Sequence, residues 1–267
     1  MAGVSEPAAR AEAIVALDVA GLAEARALID RLGAGCDFYK VGMELFAAEG
    51  PAAVDWLVGA GKRVFLDLKF HDIPNTVRGA VAAAARRGAR LVTVHGYGGA
   101  GMLAAAVEGA AAGGSDCGVL AVTVLTSLDA AELGAILGRP VDGAAPGEGV
   151  GRGGADEGSA DGVRGEVLRL AALARSAGAH GVVCSGHEVG AVRAAHGGAL
   201  APLVPGVRLA GGRAHDQRRV VTPGAAARDG AAYVVLGRTV TAAAEPEQAF
   251  ARAVAELSAA GRRDPGA

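Results

Sequence analysis

An apolar run with charged residues at its centre has the sequence Val64-Phe-Leu-Asp-Leu-Lys-Phe-His-Asp-Ile-Pro-Asn-Thr76. The run predicts a buried strand. Because side chains alternate across a strand, Asp67 and Lys69 should project from one face, with Leu66 and Leu68 on the other. Asp72 follows three residues later, and the next residues, Pro-Asn-Thr, are a helix-start signal. Two carboxylates and an ammonium group are therefore expected where this strand ends.

Similar short β-branched runs alternate along the chain with Ala-rich segments of helical period, which predicts repeated βα units around a parallel sheet. Eight strands are predicted, at residues 14–17, 38–41, 64–68, 91–94, 118–124, 181–183, 202–204 and 233–236. Amphipathic helices are predicted between them, among others at 22–32, 52–60, 77–87, 102–112 and 130–137. Eight such units predict a single-domain TIM (β/α)8 barrel over residues 1–267, with a doubly wound open sheet as the alternative.

Polar residues at the predicted strand ends favour the barrel over the open sheet. Every predicted strand ends in or is followed by at least one of them: Asp18, Lys40, Asp67, Lys69, His95, Thr126, Ser127, Ser185, Arg208 and Arg238. In a barrel these ends meet in one mouth, whereas in an open sheet they are spread along an edge.

Residues 138–165 interrupt the alternation of strands and helices. They are dominated by Gly, Ala, Asp and Glu, contain two prolines and lack an apolar period. We predict a low-complexity, disordered insertion between the fifth and sixth strands. A functional lid is the alternative interpretation.

Composition argues against several classes of partner. A formal charge of -2 and an aromatic content of 3% provide neither a basic field nor stacking platforms, so no nucleic acid is predicted. The sequence shows no signal peptide and no apolar run near the roughly 20 residues that span a bilayer, so no membrane partner is predicted. The three cysteines are widely spaced and suggest neither disulfides nor a zinc site, which fits a reducing cytoplasm.

Lysine is rare: of 26 basic residues, the only lysines are Lys40, Lys62 and Lys69. Arginine cannot release its proton in a protein, so a position occupied by lysine is a candidate for proton transfer. Flanking carboxylates favour the ammonium form of Lys69, which could then protonate a carbanion. A structural buried ion pair is the alternative, although desolvation makes such pairs weak stabilisers.

A phosphate-bearing substrate is suggested by two strand ends near the C-terminus. The last strand ends in Gly237-Arg238, and Pro205-Gly-Val-Arg208 follows the seventh strand, with Asp216-Gln217 on the next loop. Freed backbone N–H groups and guanidinium groups bind anions, and TIM barrels often bind phosphate after their last two strands. Exposed loop arginines are the alternative.

A sugar is the predicted partner of two further residues. Asp18 and Lys40 could fix the hydroxyl groups of a ribose, or instead serve as a helix cap and an ion pair. The histidines show no paired metal-ligand spacing, so no metal is predicted.

The segment 67–76 resembles the signature of the orotidine 5'-monophosphate (OMP) decarboxylase family. Further matching motifs follow in the family's order: Ala16-Leu-Asp18, Tyr39-Lys-Val-Gly42, Leu125-Thr-Ser127, Gly181-Val-Val-Cys-Ser185, Val204-Pro-Gly-Val-Arg208, Asp216-Gln217 and Val235-Leu-Gly-Arg238. The resemblance implies a TIM barrel that converts OMP to UMP in the last step of pyrimidine synthesis, without a cofactor. It also implies a homodimer with shared active sites.

The resemblance also implies residue roles. Lys69 would donate the proton to C6 of the pyrimidine, with Asp67 beside the departing carboxylate, and Lys40 and Asp72 would complete the charge network. Asp72, Ile73 and Thr76 would come from the other subunit. The remaining substrate contacts would be Asp18 and Lys40 to ribose, Thr126 or Ser127 to the base, and Pro205, Arg208, Gln217, Gly237 and Arg238 at the phosphate end.

Two other functions remain open at this level. Metal-dependent sugar-phosphate decarboxylases or aldolase-like relatives share the D-x-K-x-x-D pattern, although the continuation at 70–76 favours the pyrimidine enzyme. A phosphate-binding barrel without catalytic activity is the second alternative.

Overall fold

Eight parallel strands close into a barrel in the computed structural model, which describes residues 11–114, 116–141, 157–209 and 221–260. The strands are β1 (Glu12–Ala16), β2 (Phe38–Gly42), β3 (Arg63–Phe70), β4 (Ala89–His95), β5 (Gly118–Val122), β6 (Gly181–Val183), β7 (Ala201–Val204) and β8 (Tyr233–Leu236). The first strand pairs with the last, from Glu12 opposite Tyr233 to Val15 opposite Leu236. This closure confirms the predicted TIM barrel and excludes the open sheet.

Helices surround the barrel. They are α1 (Leu22–Leu32), α2 (Met43–Glu49), α3 (Ala52–Gly59), α4 (Pro74–Arg86), α5 (Gly99–Ala112), α6 (Ala130–Leu137), α7 (Glu157–Ser176), α8 (Val189–His196), α9 (Pro223–Arg228), α10 (Arg238–Thr241) and α11 (Pro246–Ala260). Within the described ranges, no helix is long and apolar enough to cross a membrane.

Alternation along the strands divides the core into two layers. One set of side chains fills the barrel interior: Ile14, Ala16, Phe38, Phe65, Leu91, Leu120, Val122, Val183, Leu203, Tyr233 and Val235. Their strand neighbours face outward and pack against the helices. In β3, for example, Phe65 is interior while Val64 and Leu66 belong to the outer layer, as period-two geometry requires.

The carboxyl end of β3 departs from regular pairing. Leu66 pairs with Val92, but the next pair is Phe70 with Val94, so β3 carries two extra residues relative to β4. Within this irregularity Lys69 has a φ of 51°, the one positive φ among described residues other than glycine. A bulge of this kind re-aims side chains at the mouth of a barrel, and the sequence pattern did not predict it.

Helix α7 corrects the predicted insertion. Residues 157–165, which we expected to be part of a disordered segment, form its first turns, and Val163 is buried. Val141, on the other side of the segment, is also buried. The remaining part of that prediction, residues 142–156, lies outside the described residues.

Candidate active site

A cavity of about 770 Å³ opens at the carboxyl ends of the strands. Its floor is the uppermost interior layer of the barrel: Ala16, Phe65, Val122, Val183, Leu203 and Val235. Its polar lining contains Asp18, Lys40, Asp67, Lys69, Thr126, Arg208 and Arg238. The cavity is therefore apolar at the bottom and charged around its wall, a form typical of small-molecule sites.

The charged side chains of the strands reach this wall because side-chain direction alternates along each strand. In three neighbouring strands an interior apolar residue is followed two positions later by a polar one: Phe38 by Lys40, Phe65 by Asp67, and Leu91 by Thr93. The polar residue then lies one layer above the apolar one, on the same interior face.

Four of these side chains form a row of alternating charge. Lys40 Nζ lies 2.8 Å from Asp18 Oδ1 and 3.7 Å from Asp67 Oδ2. Lys69 Nζ lies 2.9 Å from Asp67 Oδ1. The side chain of Asp67 is only 14% exposed, and the two ammonium groups that flank it compensate its negative charge. The row thus holds the Lys69 ammonium in a fixed place beside the cavity.

Gly42 leaves room for the outer part of this row. A Cβ at this position would lie 2.7 Å from Lys40 Nζ and 2.9 Å from Asp18 Oδ1, too close for either atom to stay. The absence of a side chain at residue 42 therefore allows the ion pair between Asp18 and Lys40.

Cationic groups come from the strands nearest the C-terminus. Arg208 follows β7, and Arg238 follows β8 directly after Gly237, at the start of α10. Pro205 also lines this part of the cavity. Two guanidinium groups at one end of a cavity are suited to a phosphate group.

Comparison with known proteins identifies the family. A sequence model described as the orotidine 5'-phosphate decarboxylase / HUMPS family matches residues 12–253. The orotidine 5'-phosphate decarboxylase of Anaeromyxobacter sp. (strain K) is 51% identical over 232 residues, which cover 86% of this chain and 89% of that protein. That of Moorella thermoacetica is 45% identical over 252 residues, 92% of each chain. The chain belongs to this family.

A solved structure of the family has the same architecture. The crystal structure of orotidine 5'-phosphate decarboxylase from Lactobacillus acidophilus matches with a TM-score of 0.74 at 34% identity, covering 93% of this chain and 99% of that one. The barrel of this chain therefore has the same fold as that member of the family.

The structure brings together most, but not all, of the residues that the sequence singled out. Nine of them line the cavity: Asp18, Lys40, Asp67, Lys69, Thr126, Pro205, Arg208, Gly237 and Arg238. Ser127 is exposed and does not line it. Gln217 and its neighbour Asp216 lie outside the described residues.

Three predicted site residues lie outside the cavity of their own chain. Asp72, Ile73 and Thr76 are exposed, and Ile73 is 67% exposed despite its large apolar side chain. The carboxylate of Asp72 accepts a hydrogen bond from the N–H of Ile73 at 2.6 Å. Asp72 lies in the loop after β3, Ile73 directly precedes α4, and Thr76 lies in the first turn of α4, so all three are on the surface rather than around Lys69.

Thr93 is a polar residue beside the site that no sequence motif indicated. Its hydroxyl contacts both the backbone of Lys69 and the carboxylate of Asp67. The available signal was its place in β4, a polar residue two positions after the interior Leu91. That signal identifies an interior position but not the partners of its hydroxyl.

Two histidines lie close to Lys69 without lining the cavity. The rings of His71 and His95 are 5.3 Å apart, and His95 Nδ1 is buried without a hydrogen-bond partner. Burial, with smaller effects of His71 and Lys69, lowers the pKa of His95. His95 is therefore neutral near pH 7.

Among the described residues, no group of three or more His, Cys, Asp and Glu side chains is arranged to hold a metal ion. The carboxylates near the cavity are instead paired with lysines. The chemistry that this arrangement itself offers is a positioned ammonium group above an apolar floor, where an electrostatic interaction is stronger than in water.

Proposed function

We propose that this chain decarboxylates OMP to UMP, the last step of pyrimidine synthesis, with Lys69 as the proton donor. The observation that carries the proposal is the ion-paired row of Asp18, Lys40, Asp67 and Lys69 in a cavity that also holds two arginines. Membership of the OMP decarboxylase family supports the same reaction and substrate.

Lys69 acts on the carbon that loses the carboxylate. The bond from C6 to the carboxylate breaks, carbon dioxide leaves, and the electron pair stays on C6. The ammonium group stabilises this developing charge and transfers a proton to C6, after which the neutral amine takes a proton from solvent. Asp67, 2.9 Å from Lys69 Nζ, orients the ammonium group and lies beside the departing carboxylate.

The rest of the cavity binds the nucleotide. Asp18 and Lys40 bind the ribose hydroxyls, and Thr126, the one of the two predicted base contacts that lines the cavity, binds the base. The phosphate end is bound by Pro205, Arg208, Gln217, Gly237 and Arg238. In an eight-stranded barrel β3 and β7 face each other, so a bound nucleotide extends from Lys69 toward the arginines. Binding energy from the remote phosphate then serves to hold C6 at the ammonium group.

A homodimer completes each site. Asp72, Ile73 and Thr76 come from the partner subunit, and Asp72 joins the network of Lys40, Asp67 and Lys69. The position of all three residues on the surface, outside the cavity of their own chain, supports this proposal, because there they are accessible to a second subunit.

Neither a cofactor nor a metal is required by this mechanism. The competing function is a metal-dependent sugar-phosphate decarboxylase, and the third possibility is a barrel that binds nucleotides without turnover. We also propose a cytoplasmic location, which is supported by free thiols at Cys36, Cys117 and Cys184.

The direct test is to follow the loss of OMP absorbance after metals have been removed with EDTA. We expect full turnover to UMP. Activity that disappears with EDTA and returns with magnesium would favour the metal-dependent relative. Tight UMP binding without turnover would favour a barrel that binds nucleotides but has no catalytic activity.

Mixing two inactive variants tests the shared site. Asp72→Asn and Lys69→Ala are each expected to lose activity. In a mixed dimer, one site combines the intact Lys69 of one subunit with the intact Asp72 of the other. Because half of the randomly mixed dimers are of this kind and each has one such site, about a quarter of wild-type activity should return. No recovery after subunit exchange would contradict an Asp72 contribution from the partner.

A further inference from the structure

We propose that Thr93 is the positioning residue that holds Lys69 and Asp67 in their working geometry. The inference rests on the proposed decarboxylase function, and it concerns a residue that does not line the cavity. Thr93 lies in β4 and is fully buried, with 0% of its surface exposed.

The Thr93 hydroxyl makes two hydrogen bonds, and their directions follow from chemistry. Its Oγ1 accepts from the backbone N–H of Lys69 at 2.9 Å. Because an ionised carboxylate can only accept, the single hydroxyl proton is donated to Asp67 Oδ1, 3.0 Å away. The hydroxyl therefore uses both its proton and an acceptor lone pair within the site, and these two hydrogen bonds fix its orientation.

The first bond stabilises an unusual backbone conformation. Lys69 has a φ of 51°, a region that L-residues other than Asn, Asp and His seldom adopt. The bulge between Leu66 and Phe70 also removes Lys69 from regular pairing with β4. The Thr93 hydroxyl thus replaces the strand partner that the Lys69 N–H lacks.

The second bond connects Thr93 to the reactive end of the same lysine. Asp67 Oδ1 accepts from the Thr93 hydroxyl and from Lys69 Nζ, at 3.0 and 2.9 Å. Thr93 therefore contacts the backbone of Lys69 directly and its ammonium group through one carboxylate oxygen. Loss of the hydroxyl would remove the partner of the Lys69 N–H and one of the contacts that hold Asp67, while leaving the cavity lining in place.

The test compares three single variants of the full chain. Thr93→Val removes the hydroxyl with little change in volume, and Thr93→Ser retains it. Thr123→Val is the matched control. Thr123 is another fully buried threonine, directly after the neighbouring β5. Its hydroxyl donates to the Val183 carbonyl at 2.7 Å, and it does not line the cavity.

We expect Thr93→Val to lower kcat for OMP by about 10- to 100-fold with KM changed less than about threefold, because misplacing a catalytic group costs rate rather than binding. Thr93→Ser and Thr123→Val should keep kcat within about threefold of the unmodified chain. Hydrogen exchange at the Lys69 amide should accelerate in Thr93→Val alone, since that amide then lacks its partner.

The outcomes separate this inference from the proposed function. Normal kcat in Thr93→Val, with an active unmodified chain, would overturn the positioning role and leave the function standing. An unmodified chain without OMP turnover would overturn both. If Thr93→Val fails to fold, Thr93→Cys keeps the volume with only a weak thiol donor, and unchanged kcat in that variant would overturn the positioning role.

Discussion

Lys69 is constrained at both ends, and this is the main feature of the site at the scale of single residues. Its φ of 51° costs of order 1–3 kcal/mol for a residue with a Cβ. Its ammonium group is held 2.9 Å from a carboxylate that is only 14% exposed. Strain of this kind persists only where surrounding contacts enforce it, and it occurs preferentially where a side chain must be placed accurately.

Replacing Lys69 by arginine should abolish turnover although the charge is kept. The guanidinium group does not release its proton, so kcat should fall by about 10²- to 10⁴-fold. The matched control is Lys62→Arg. Lys62 donates to the Cys36 carbonyl at 3.3 Å and does not line the cavity, so arginine should be tolerated there. The measurement is kcat with OMP for both variants, and near-normal turnover of Lys69→Arg would rule out proton donation by Lys69.

Gly42→Ala should damage the site without unfolding the protein. The new Cβ would lie 2.7 Å from Lys40 Nζ, and because that atom ends a flexible side chain, the ion pair moves rather than the backbone. A displaced charged hydrogen bond should lower kcat/KM by about 10- to 100-fold. Thermal unfolding should change little. A variant with normal kcat/KM would show that the pair between Asp18 and Lys40 is not needed in this geometry.

At the scale of elements, an ion-pair cluster links the two helices, α6 and α7, that lie in the connection from β5 to β6. Glu166 of α7 is 4% exposed and pairs with Arg139, just after α6, at 3.1 Å and with Arg169 at 2.6 Å. The hydrogen bond from Arg169, together with both positive charges, lowers the pKa of Glu166 against the opposing effect of burial. The two sides of the segment 142–156 are thus linked through α6 and α7.

Because of this link, the segment between the helices should be dispensable. Replacing residues 143–155 by a short Gly-Ser linker should keep kcat/KM within about threefold, since the entropy of closing a connection depends only weakly on its length. The control deletion extends to residue 162 and removes the first turns of α7 next to the buried Val163. That deletion should lower the melting temperature. A large loss of kcat from the shorter replacement would indicate a functional lid.

At the scale of the whole molecule, closure of the barrel creates the site. The charged row belongs to β2 and β3 and the loop after β1, whereas the arginines follow β7 and β8. Pairing of β1 with β8 brings these distant parts of the chain into one mouth. Stability of the barrel and integrity of the site are therefore coupled.

Acid should weaken the folded state through its neutral histidines. Burial lowers the pKa of His95, so the unfolded chain, in which histidine titrates near pH 6.5, binds more protons than the native state. Stability should therefore fall as the pH drops through about 6.5, by at most about 1.4 kcal/mol per pH unit for one such group. His180 and His196 contribute with the same sign, because burial lowers their pKa values too.

Unfolding measured in denaturant at a series of pH values checks this expectation. His95→Asn should show a shallower loss of stability between about pH 7 and pH 5.5 than the unmodified chain. Above about pH 8 the slopes of the two proteins should agree, since histidine is neutral in both states there. Equal slopes in the acidic range would show that His95 is not an important contributor.

Much of the fold follows from local pattern. The predicted bounds of the sixth and eighth strands, 181–183 and 233–236, match β6 and β8, and those of α1 and α6 are also correct. Helix starts were predicted less accurately from the apolar period: it placed the start of α4 at residue 77, although the Pro-Asn-Thr signal marks the observed start at Pro74, and α7 begins at Glu157 within a Gly-rich stretch. Residues 74–76 are exposed and residues 157–162 have no apolar period, so periodicity alone does not reveal either start.

The sequence by itself determined the repeating βα pattern, the shared face of Asp67 and Lys69, and the family resemblance. These depend on spacing along the chain, because side-chain direction in a strand follows from covalent geometry. Only the tertiary structure decided that β3 bulges against β4, that Thr93 contacts both Lys69 and Asp67, and that Asp72 lies outside the cavity of its own chain. Those contacts depend on the register between neighbouring strands, which is set when the barrel closes and not by any one segment.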